Sequence, residues 1–471
     1  MIENEDLHGD EEAFRDRIAT VNKDGSRNWI YPKRPSGKFY TKRKLVSYVL
    51  LILLFGAPHV YINGHQSILF NIMERKFVLF GKVFWPQDLY LFAIALIIGV
   101  IFVILFTIIY GRLFCGWVCP QTIFMEMVFR RIEYWIEGDW THQKQLNNAK
   151  WSARKIGKKV LKHTVFWIIS FLIANTFLAY IIGSEELWKI QNDPIGVHLG
   201  GLIAIFIFTT VFYLVFSLLR EQVCTTICPY GRLQGVLLDP NSMVVAYDHK
   251  RGEERAKIRK NEDRKASGKG DCIDCKQCIH VCPTGIDIRN GTQLECVNCT
   301  ACIDACDHMM EDVGLEKGLI RIVSENGITN GTRFQWTRRV KSYTALLATM
   351  IVVLLVLLIT RTDFSTKIFR QRGTTYQVGQ DGSVSNIFEI NLTNKTSNSY
   401  TIKLVTDHPD VKIEAINKKM LLKPENILKD RVILTLPLDA IKHGKEIITV
   451  RILGNGKEIQ TIDVKFIGPV L

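Results

Sequence analysis

The sequence predicts a multi-domain membrane protein: a five-helix α transmembrane domain, a small cysteine-rich α+β domain and a C-terminal immunoglobulin-like β-sandwich. Three observations predict this class. Five long apolar stretches carry no charged residue, the twelve cysteines are confined to four clusters, and short β-rich runs recur over the last part of the chain. The chain has 471 residues, which is enough for roughly three domains.

Each apolar stretch reaches the roughly 18 residues that a helix needs to cross a bilayer. Helices in a soluble core rarely run so far without Asp, Glu, Lys or Arg, so the sequence predicts five spans at 45–62, 89–110, 164–183, 198–219 and 342–360. Residues 1–44 are too long and too charged for a cleaved signal peptide. We expect them to form a cytoplasmic tail whose first 37 residues are loosely ordered and solvated.

The net charge of +14 follows the membrane spans and does not indicate a nucleic-acid partner. Lysines and arginines gather before the first span (38–44), between the second and third spans (130–159) and before the fifth (338–341). By the positive-inside rule these segments face the cytoplasm. The loop between spans one and two fits this rule less well. We therefore expect a bacterial inner-membrane protein with its N-terminus inside and its C-terminal domain in the periplasm.

Two cysteine clusters share a C-x2-C-x2-C-x3-C run, within a predicted domain at 269–320 that follows a charged cytoplasmic linker at 241–268. This is the spacing of bacterial-type two-cluster ferredoxins, in which the fourth cysteine of each run ligates the other 4Fe–4S cluster. Zinc is the alternative, but structural zinc sites usually use two well-separated ligand pairs. The expected ligand sets are Cys272, Cys275, Cys278 and Cys306 for one cluster, and Cys282, Cys296, Cys299 and Cys302 for the other.

The other two clusters form an internal repeat within 45–240. Each is a C-x3-C-P motif directly behind an apolar span, with Cys115 and Cys119 in the first and Cys224 and Cys228 in the second. The proline should break the helix at the preceding cysteine and leave the thiols accessible at the membrane surface. Paired thiols can exchange electrons through a disulfide or hold a soft cation such as Cu(I). The alternative is that they are small buried apolar residues.

Other candidate ligands lie near the spans and the cysteine runs. His59 and His198 stand at the outer ends of spans one and four, where they are either metal or quinone contacts or ordinary helix-end residues. His308, Met309 and Met310 follow Cys306, and we expect them to pack around a cluster. Every cysteine falls on the predicted cytoplasmic side and none lies in the C-terminal domain. This distribution favours reduced, metal-binding thiolates over disulfides.

Residues 373–471 read as a separate extracytoplasmic domain of seven short strands between turn signals. The Cys–Trp–Cys signature of true immunoglobulin domains is absent, so only the sandwich architecture is predicted. The expected strands are 374–378, 387–392, 400–405, 411–414, 432–436, 446–452 and 459–466.

Taken together, these features resemble the cytochrome c oxidase accessory protein family CcoG, also called FixG or RdxA. Matching stretches include 82–88, 114–122 and 318–321. The resemblance implies a cupric reductase that supplies Cu(I) for assembly of cbb3-type haem–copper oxidase, working with a cytoplasmic electron donor and assembly factors. It also implies that the eight ferredoxin cysteines hold iron, and that Cys115, Cys119, Cys224 and Cys228 form membrane-side copper or redox sites.

Two other functions stay open at this point. Membrane polyferredoxins with C-x3-C-P pairs also carry electrons from quinol to other reductases, and cluster reduction by quinol without a response to Cu(II) would favour that function. A redox-sensing scaffold, whose β-domain recruits assembly partners, is the third. Oxidase assembly by cluster-free variants would favour the scaffold.

Overall fold

The computed structural model describes residues 20–21, 24, 26–73, 76–194, 196–259, 263–264, 266–371, 373, 375–379, 382–396, 398–417, 420–441 and 444–469. The predicted loose order of residues 1–19 therefore lies outside the described residues. The chain forms two compact units. The first comprises Met1–Glu74 and Phe92–Val353, and the second comprises Arg75–Leu91 and Leu354–Leu471.

Four helices among the described residues are long and apolar enough to cross a membrane: Leu89–Tyr110, Ala153–Ile182, Leu199–Leu219 and Arg338–Ile359. The first predicted span differs from them, so the count of five is not confirmed. Its helix is Lys38–Gly56, which begins within the basic flank and ends early. Pro58 then lies in a 3-10 turn, Ala57–His59, and the short strands Tyr61–Ile62 and His65–Gln66 follow.

The chain leaves the helical conformation at each C-x3-C-P motif, as the prolines predict, and continues in short helices. Cys119 and Cys228 have non-helical backbones, with ψ of 126° and 114°, and the next helix starts at the proline in both cases. The predicted helix breaks are therefore confirmed. The first motif has helices Leu113–Trp117, Pro120–Ile123, Phe124–Phe129 (π), Arg130–Ile136 and Trp140–Asn148, and the second has Val223–Ile227 (π) and Pro229–Leu237. A further helix, Ser184–Asn192, follows Ala153–Ile182.

The cysteine-rich region is an α+β fold closed by one antiparallel strand pair, Val244–Tyr247 with Ile320–Val323. Between these strands lie His249–Gly252, Gln277–His280, the 3-10 turn Ile288–Asn290 and Ala301–Asp312, and Glu325–Asn330 follows. The described part of the segment predicted as a charged linker, 241–268, is therefore packed into this fold. The strand Val244–Tyr247 is fully buried, and Arg264 donates to the carbonyl oxygens of Gly270 and Cys272.

The segment before the first helix is also more ordered than its composition predicts. The amide of Lys33 donates to the carbonyl of His280 over 2.7 Å. The amides of Phe39 and Tyr40 both donate to the Asp304 carboxylate, at 3.0 and 2.7 Å. The described residues of the predicted tail, from about residue 26, therefore pack along the ferredoxin fold.

The second unit is a β-sandwich of two antiparallel sheets. One sheet has the order Lys412–Ala415, Ile427–Pro437, Ser383–Asn394, Phe364–Arg370, with Gln377–Val378 also paired to Ser383–Asn394, and the other has the order Met420–Leu422, Tyr400–Thr406, Lys445–Gly454, Lys457–Ile467. The alternating residues of both sheets bury one shared core, which includes Leu392, Leu434 and Ile452. The sequence missed the strands Phe364–Arg370 and Met420–Leu422, since the first precedes the expected domain boundary and the second is very short.

A hairpin from before the second helix belongs to the same unit. Its strands are Lys76–Leu79 and Lys82–Phe84, and a 3-10 turn, Pro86–Asp88, follows. Asp88 is buried and forms ion pairs with Lys395 at 2.7 Å and Arg361 at 2.9 Å. The sequence gives no local sign of this pairing, because the partners are hundreds of residues apart in the chain.

Candidate iron–sulfur and thiol site

One small cavity is lined by four thiols from both cysteine runs. They belong to Cys272, Cys275, Cys278 and Cys306, so the structure brings this expected set together. The loop between the first three cysteines turns tightly through Asp274 and Lys276, whose φ angles are 52° and 56°. Such left-handed residues let a short segment wrap three side chains around one point.

A second small cavity is lined by Cys282, Cys296, Cys299 and Cys302, with Cys278 reaching it as well. Its loop repeats the backbone of the first, because Asn298 and Thr300 also have positive φ angles, at 51° and 63°. These positions match Asp274 and Lys276 in the cysteine spacing. The two runs therefore have the same fold locally, which the repeated spacing in the sequence could have predicted.

The donor set of the two cavities fits two 4Fe–4S clusters. The cavities are narrow and mostly apolar, and burial raises the pKa of Cys278, Cys296 and Cys306 to about 12. Thiols in such surroundings stay protonated unless a metal takes the place of the proton. Among the described residues, no three His, Cys, Asp or Glu side chains converge on a point that could hold one metal ion. Each set of thiols instead lines a shared cavity, as the ligands of a multi-iron cluster do.

The two C-x3-C-P motifs lie against each other, although they are more than 100 residues apart in the sequence. Burial raises the pKa of Cys115 to about 11, and its neighbours Cys119 and Cys228 raise it further. Burial likewise raises the pKa of Cys224 to about 12, with further contributions from Cys119, Cys115 and Cys228. The repeat thus brings the cysteines of both motifs into one neighbourhood, where paired thiols can exchange electrons or bind a soft cation; among the described residues they do not converge on one point as the ligands of a bound ion do.

Neighbouring polar groups fix the thiols of the two motifs. The amide nitrogen of Gln234 lies 3.3 Å from Sγ of Cys115. Arg112 is buried and donates to the carbonyl of Gly231. A Cβ on Gly231 would stand 2.7 Å from the carbonyl oxygen of Cys224. The absence of a side chain at Gly231 is therefore what lets the second motif approach Arg112.

The thiol site packs directly against the second cavity. Cys115, Cys224 and Cys302 contact the same small apolar cluster as Cys299 and Val297. The closest approach is at Gly116, where an added Cβ would stand 2.5 Å from the carbonyl oxygen of Val297. The ligand loop of one cavity and the C-x3-C-P motif are thus in backbone contact, which is a short path for an electron.

A network of buried charges adjoins the second motif. Glu133 accepts two hydrogen bonds from Arg220, at 2.8 and 3.1 Å, and lies 3.6 Å from Lys162. Arg130 lies 3.1 Å from Glu126 and 3.5 Å from Glu221. Glu126, Glu221 and Cys224 line a further small cavity. Sequence reasoning missed this network, because these charges read as membrane-flanking residues.

The remaining sequence candidates lie elsewhere. His198 precedes the helix whose other end leads to Cys224, so about 30 Å of helix separates them. It pairs with Asp193 at 2.9 Å, and His59 is exposed in its 3-10 turn. Met310 is buried and lines the first cavity as expected. The expectation for His308 is wrong, since its side chain is 72% exposed and faces Asp312 on the same helix.

Comparison with known proteins supports these features one by one. Residues 92–159 match the model of a 4Fe-4S binding domain, and residues 219–325 match that of a 4Fe-4S dicluster domain. Residues 354–469 match the model of the immunoglobulin-like fold at the C-terminal end of FixG. The fold, the thiol-lined cavities and these matches define an iron–sulfur electron-transfer protein with two clusters and apolar helices suited to a membrane.

Relatives of full length narrow the class to one family. The chain is 33% identical to Protein RdxA of Cereibacter sphaeroides over 392 residues, which is 80% of this chain and 82% of the relative. It is 32% identical to Nitrogen fixation protein FixG of Rhizobium meliloti over 422 residues, covering 81% and 79%. The chain belongs to the FixG/RdxA family. A partial relative is the methylamine utilization ferredoxin-type protein MauN of Methylorubrum extorquens, at 23% identity over 40% of this chain and 53% of the relative.

Proposed function

We propose that this protein is a membrane-bound cupric reductase, which converts Cu(II) to Cu(I) at the C-x3-C-P thiols for assembly of cbb3-type cytochrome c oxidase. The two ligand sets lining the two cavities hold the iron: Cys272, Cys275, Cys278 and Cys306 in one, and Cys282, Cys296, Cys299 and Cys302 in the other. When bound, the 4Fe–4S clusters supply single electrons. The ferredoxin domain faces the cytoplasm and the β-sandwich faces the periplasm.

The observation that carries this proposal is the contact between the thiol site and the second cavity. Cys115 and Cys224 contact the same apolar cluster as Cys299, and Gly116 packs on the backbone of Val297. Thiolates are soft ligands that hold Cu(I) better than Cu(II), so the cysteines of the two motifs favour the reduced ion. A copper ion bound there stands next to the source of electrons. Each Cu(II) that becomes Cu(I) takes one electron, and no bond to the protein has to break.

The test uses the Cys115→Ser/Cys224→Ser double variant, purified without oxygen in detergent. Both proteins are reduced with dithionite, freed of excess reductant and mixed with Cu(II). Cu(I) is measured with a selective chelator, and the clusters by electron paramagnetic resonance. We expect the wild type to form one Cu(I) for each electron lost by its clusters. The variant should keep its iron but form Cu(I) at least about ten times more slowly, because serine is a poor ligand for Cu(I).

Thr226→Ser is the matched control, because Thr226 is exposed in the same loop and carries no thiol. It should behave as the wild type. An undiminished rate in the double variant would refute the assignment of these cysteines to copper, and a wild type whose reduced clusters do not respond to Cu(II) would refute the copper reductase itself.

A second function is favoured by the partial relative. MauN is described as a ferredoxin-type protein for methylamine utilization, and its match shows that part of this architecture occurs outside oxidase assembly. In this alternative the protein relays electrons from quinol to another reductase. Fast cluster reduction by a soluble quinol, without cluster oxidation by Cu(II), would favour the relay. Slow cluster reduction by the quinol, together with cluster oxidation by Cu(II), would favour the cupric reductase.

A further inference from the structure

Arg43 is a buried cation that holds the backbone of the first C-x3-C-P motif. It lies on the helix Lys38–Gly56, and only 2% of the side chain is exposed. Its Nε donates to the carbonyl oxygen of Gly116, between the two cysteines of the first motif, over 2.7 Å. Its Nη2 is buried without a hydrogen-bond partner among the described residues. Nε of the guanidinium therefore donates to the motif, and Nη2 is available to donate to another acceptor.

Through Gly116, Arg43 lies close to the ligand loop of the second cavity. The residue whose carbonyl it holds packs on the backbone of that loop, since a Cβ on Gly116 would stand 2.5 Å from the carbonyl oxygen of Val297. No carboxylate in the described part of the chain forms an ion pair with Arg43. Burying an unpaired cation is costly. An anionic group in the cavity would offset that cost, and thiolates that ligate a metal cluster are such a group.

The first cavity has a buried arginine in different surroundings. Arg289 lines that cavity, but its guanidinium is held by Asp287 at 2.7 Å and by Asp274 at 2.6 Å. Lys276 lines this cavity too, so two cations face two carboxylates. The charges around the first cavity therefore balance, whereas Arg43 adds an unpaired positive charge near the loop of the second.

Net charge and hydrogen bonds to the sulfurs are two of the factors that set the reduction potential of an iron–sulfur cluster. A nearby positive charge stabilises the reduced form, which carries one more electron. The two ligand loops share the same backbone conformation. The difference between Arg43 and Arg289 is then a difference in how readily each site keeps an electron.

We propose that Arg43 is a positioning residue that raises the reduction potential of the cluster at Cys282, Cys296, Cys299 and Cys302 above that of the other cluster. A single added electron then resides beside the C-x3-C-P thiols. In the exchange between the sites, one cluster is oxidised by one electron and the other is reduced by one, with no change in bonds or protons. The proposal rests on the cluster ligand sets of the proposed function and does not require that copper be the acceptor.

The test is a redox titration of the full-length protein in detergent, without copper, followed by electron paramagnetic resonance of both clusters. Arg43→Gln keeps a hydrogen-bond donor and loses the charge, whereas Arg43→Lys keeps the charge and loses the planar fork. Lys42→Gln is the control, since it removes an exposed charge from the same helix turn. Iron content and thermal unfolding are measured for every protein.

We expect Arg43→Gln to lower the potential of one cluster only, with a change of about tenfold in the electron distribution, or about 59 mV. Arg43→Lys should restore most of this shift, and Lys42→Gln should show almost none. Unchanged potentials in Arg43→Gln, or equal shifts in Arg43→Gln and Arg43→Lys, would overturn the proposal.

If Arg43→Gln cannot hold iron, the Arg43→Lys variant provides the test of the proposal. Wild-type iron content and cluster potentials in Arg43→Lys would support a need for the positive charge. A loss of iron equal to that of Arg43→Gln would overturn the proposal, because Arg43 would then have only a packing role. A failure of copper reduction would leave these potentials unaffected, so the two proposals are tested separately.

Discussion

Replacing Gly116 by alanine tests the contact between the motif and the second cavity. The new Cβ would stand 2.5 Å from the carbonyl oxygen of Val297 and 3.0 Å from the backbone carbon and oxygen of Asn298. These are backbone atoms of a loop whose cysteines line the cavity, so they cannot swing aside as a side chain can. An ordinary contact begins near 3.4 Å, so the loop and the motif must separate by about 0.9 Å at this point.

The expected sign of the stability change makes this substitution informative. Alanine within a helix is normally favoured over glycine by about 1 kcal/mol, and Gly116 lies in the helix Leu113–Trp117. Overpacking of this kind costs about 1–3 kcal/mol. The clash should therefore outweigh the helix preference and leave a net loss of about 1 kcal/mol. Gly99→Ala is the matched control, because Gly99 lies in Leu89–Tyr110 and a Cβ there meets no atom within 4 Å.

The assay is thermal unfolding of both variants in detergent, together with the rate at which prereduced clusters lose electrons to Cu(II). Gly116→Ala should lower the unfolding midpoint and slow the transfer, because the separation lengthens the path. Gly99→Ala should keep the wild-type rate and a midpoint at or above that of the wild type. A Gly116→Ala protein that is as stable and as fast as the Gly99→Ala control would refute the close packing on which the electron path depends.

Three other predictions follow from buried charges and from the metal. Asp88→Ala leaves Lys395 and Arg361 buried without a counter-charge. Thermal unfolding should therefore show that the β-sandwich loses about 3–5 kcal/mol of unfolding free energy, while the iron content stays normal. An unchanged unfolding midpoint would contradict the buried pairing. Glu133→Gln removes the carboxylate that Arg220 grips, and denaturant unfolding should show a similar cost; an effect under about 0.5 kcal/mol would mean that water compensates the pair. Removal of iron with a chelator should make residues 244–323 susceptible to protease, because metal binding contributes to the folding of this region. The β-sandwich should stay resistant to protease and serves as the internal control.

The features that the sequence predicted best are those with a strict local spacing. The two cysteine runs come together around cavities because their spacing specifies a tight loop, and the prolines after Cys119 and Cys228 break their helices wherever the rest of the chain lies. The alternation in the last hundred residues likewise located most strands. In each case the information lies within about ten residues, so tertiary structure need not be known.

The features that the sequence missed depend on distant partners. Arg43 reads as one of several basic residues flanking a span, and only the folded chain shows that its side chain turns inward to Gly116. Arg264 lies in the segment predicted as a charged linker. Its guanidinium nevertheless donates to three backbone carbonyls around Cys272. Charge in a sequence predicts exposure only on average. An arginine that finds several carbonyl acceptors can be buried instead.

The hairpin that carries Asp88 has a consequence for biosynthesis. Its partners Arg361 and Lys395 follow 273 and 307 residues later in the chain. At about 5–20 residues per second, the ribosome needs roughly 15–60 s to make the residue that completes this pairing. Until then the Asp88 carboxylate and the strands beside it have no counterpart. The β-sandwich can therefore finish folding only after almost the whole chain has been made, and chaperones or proteases have that interval in which to act on an incomplete domain.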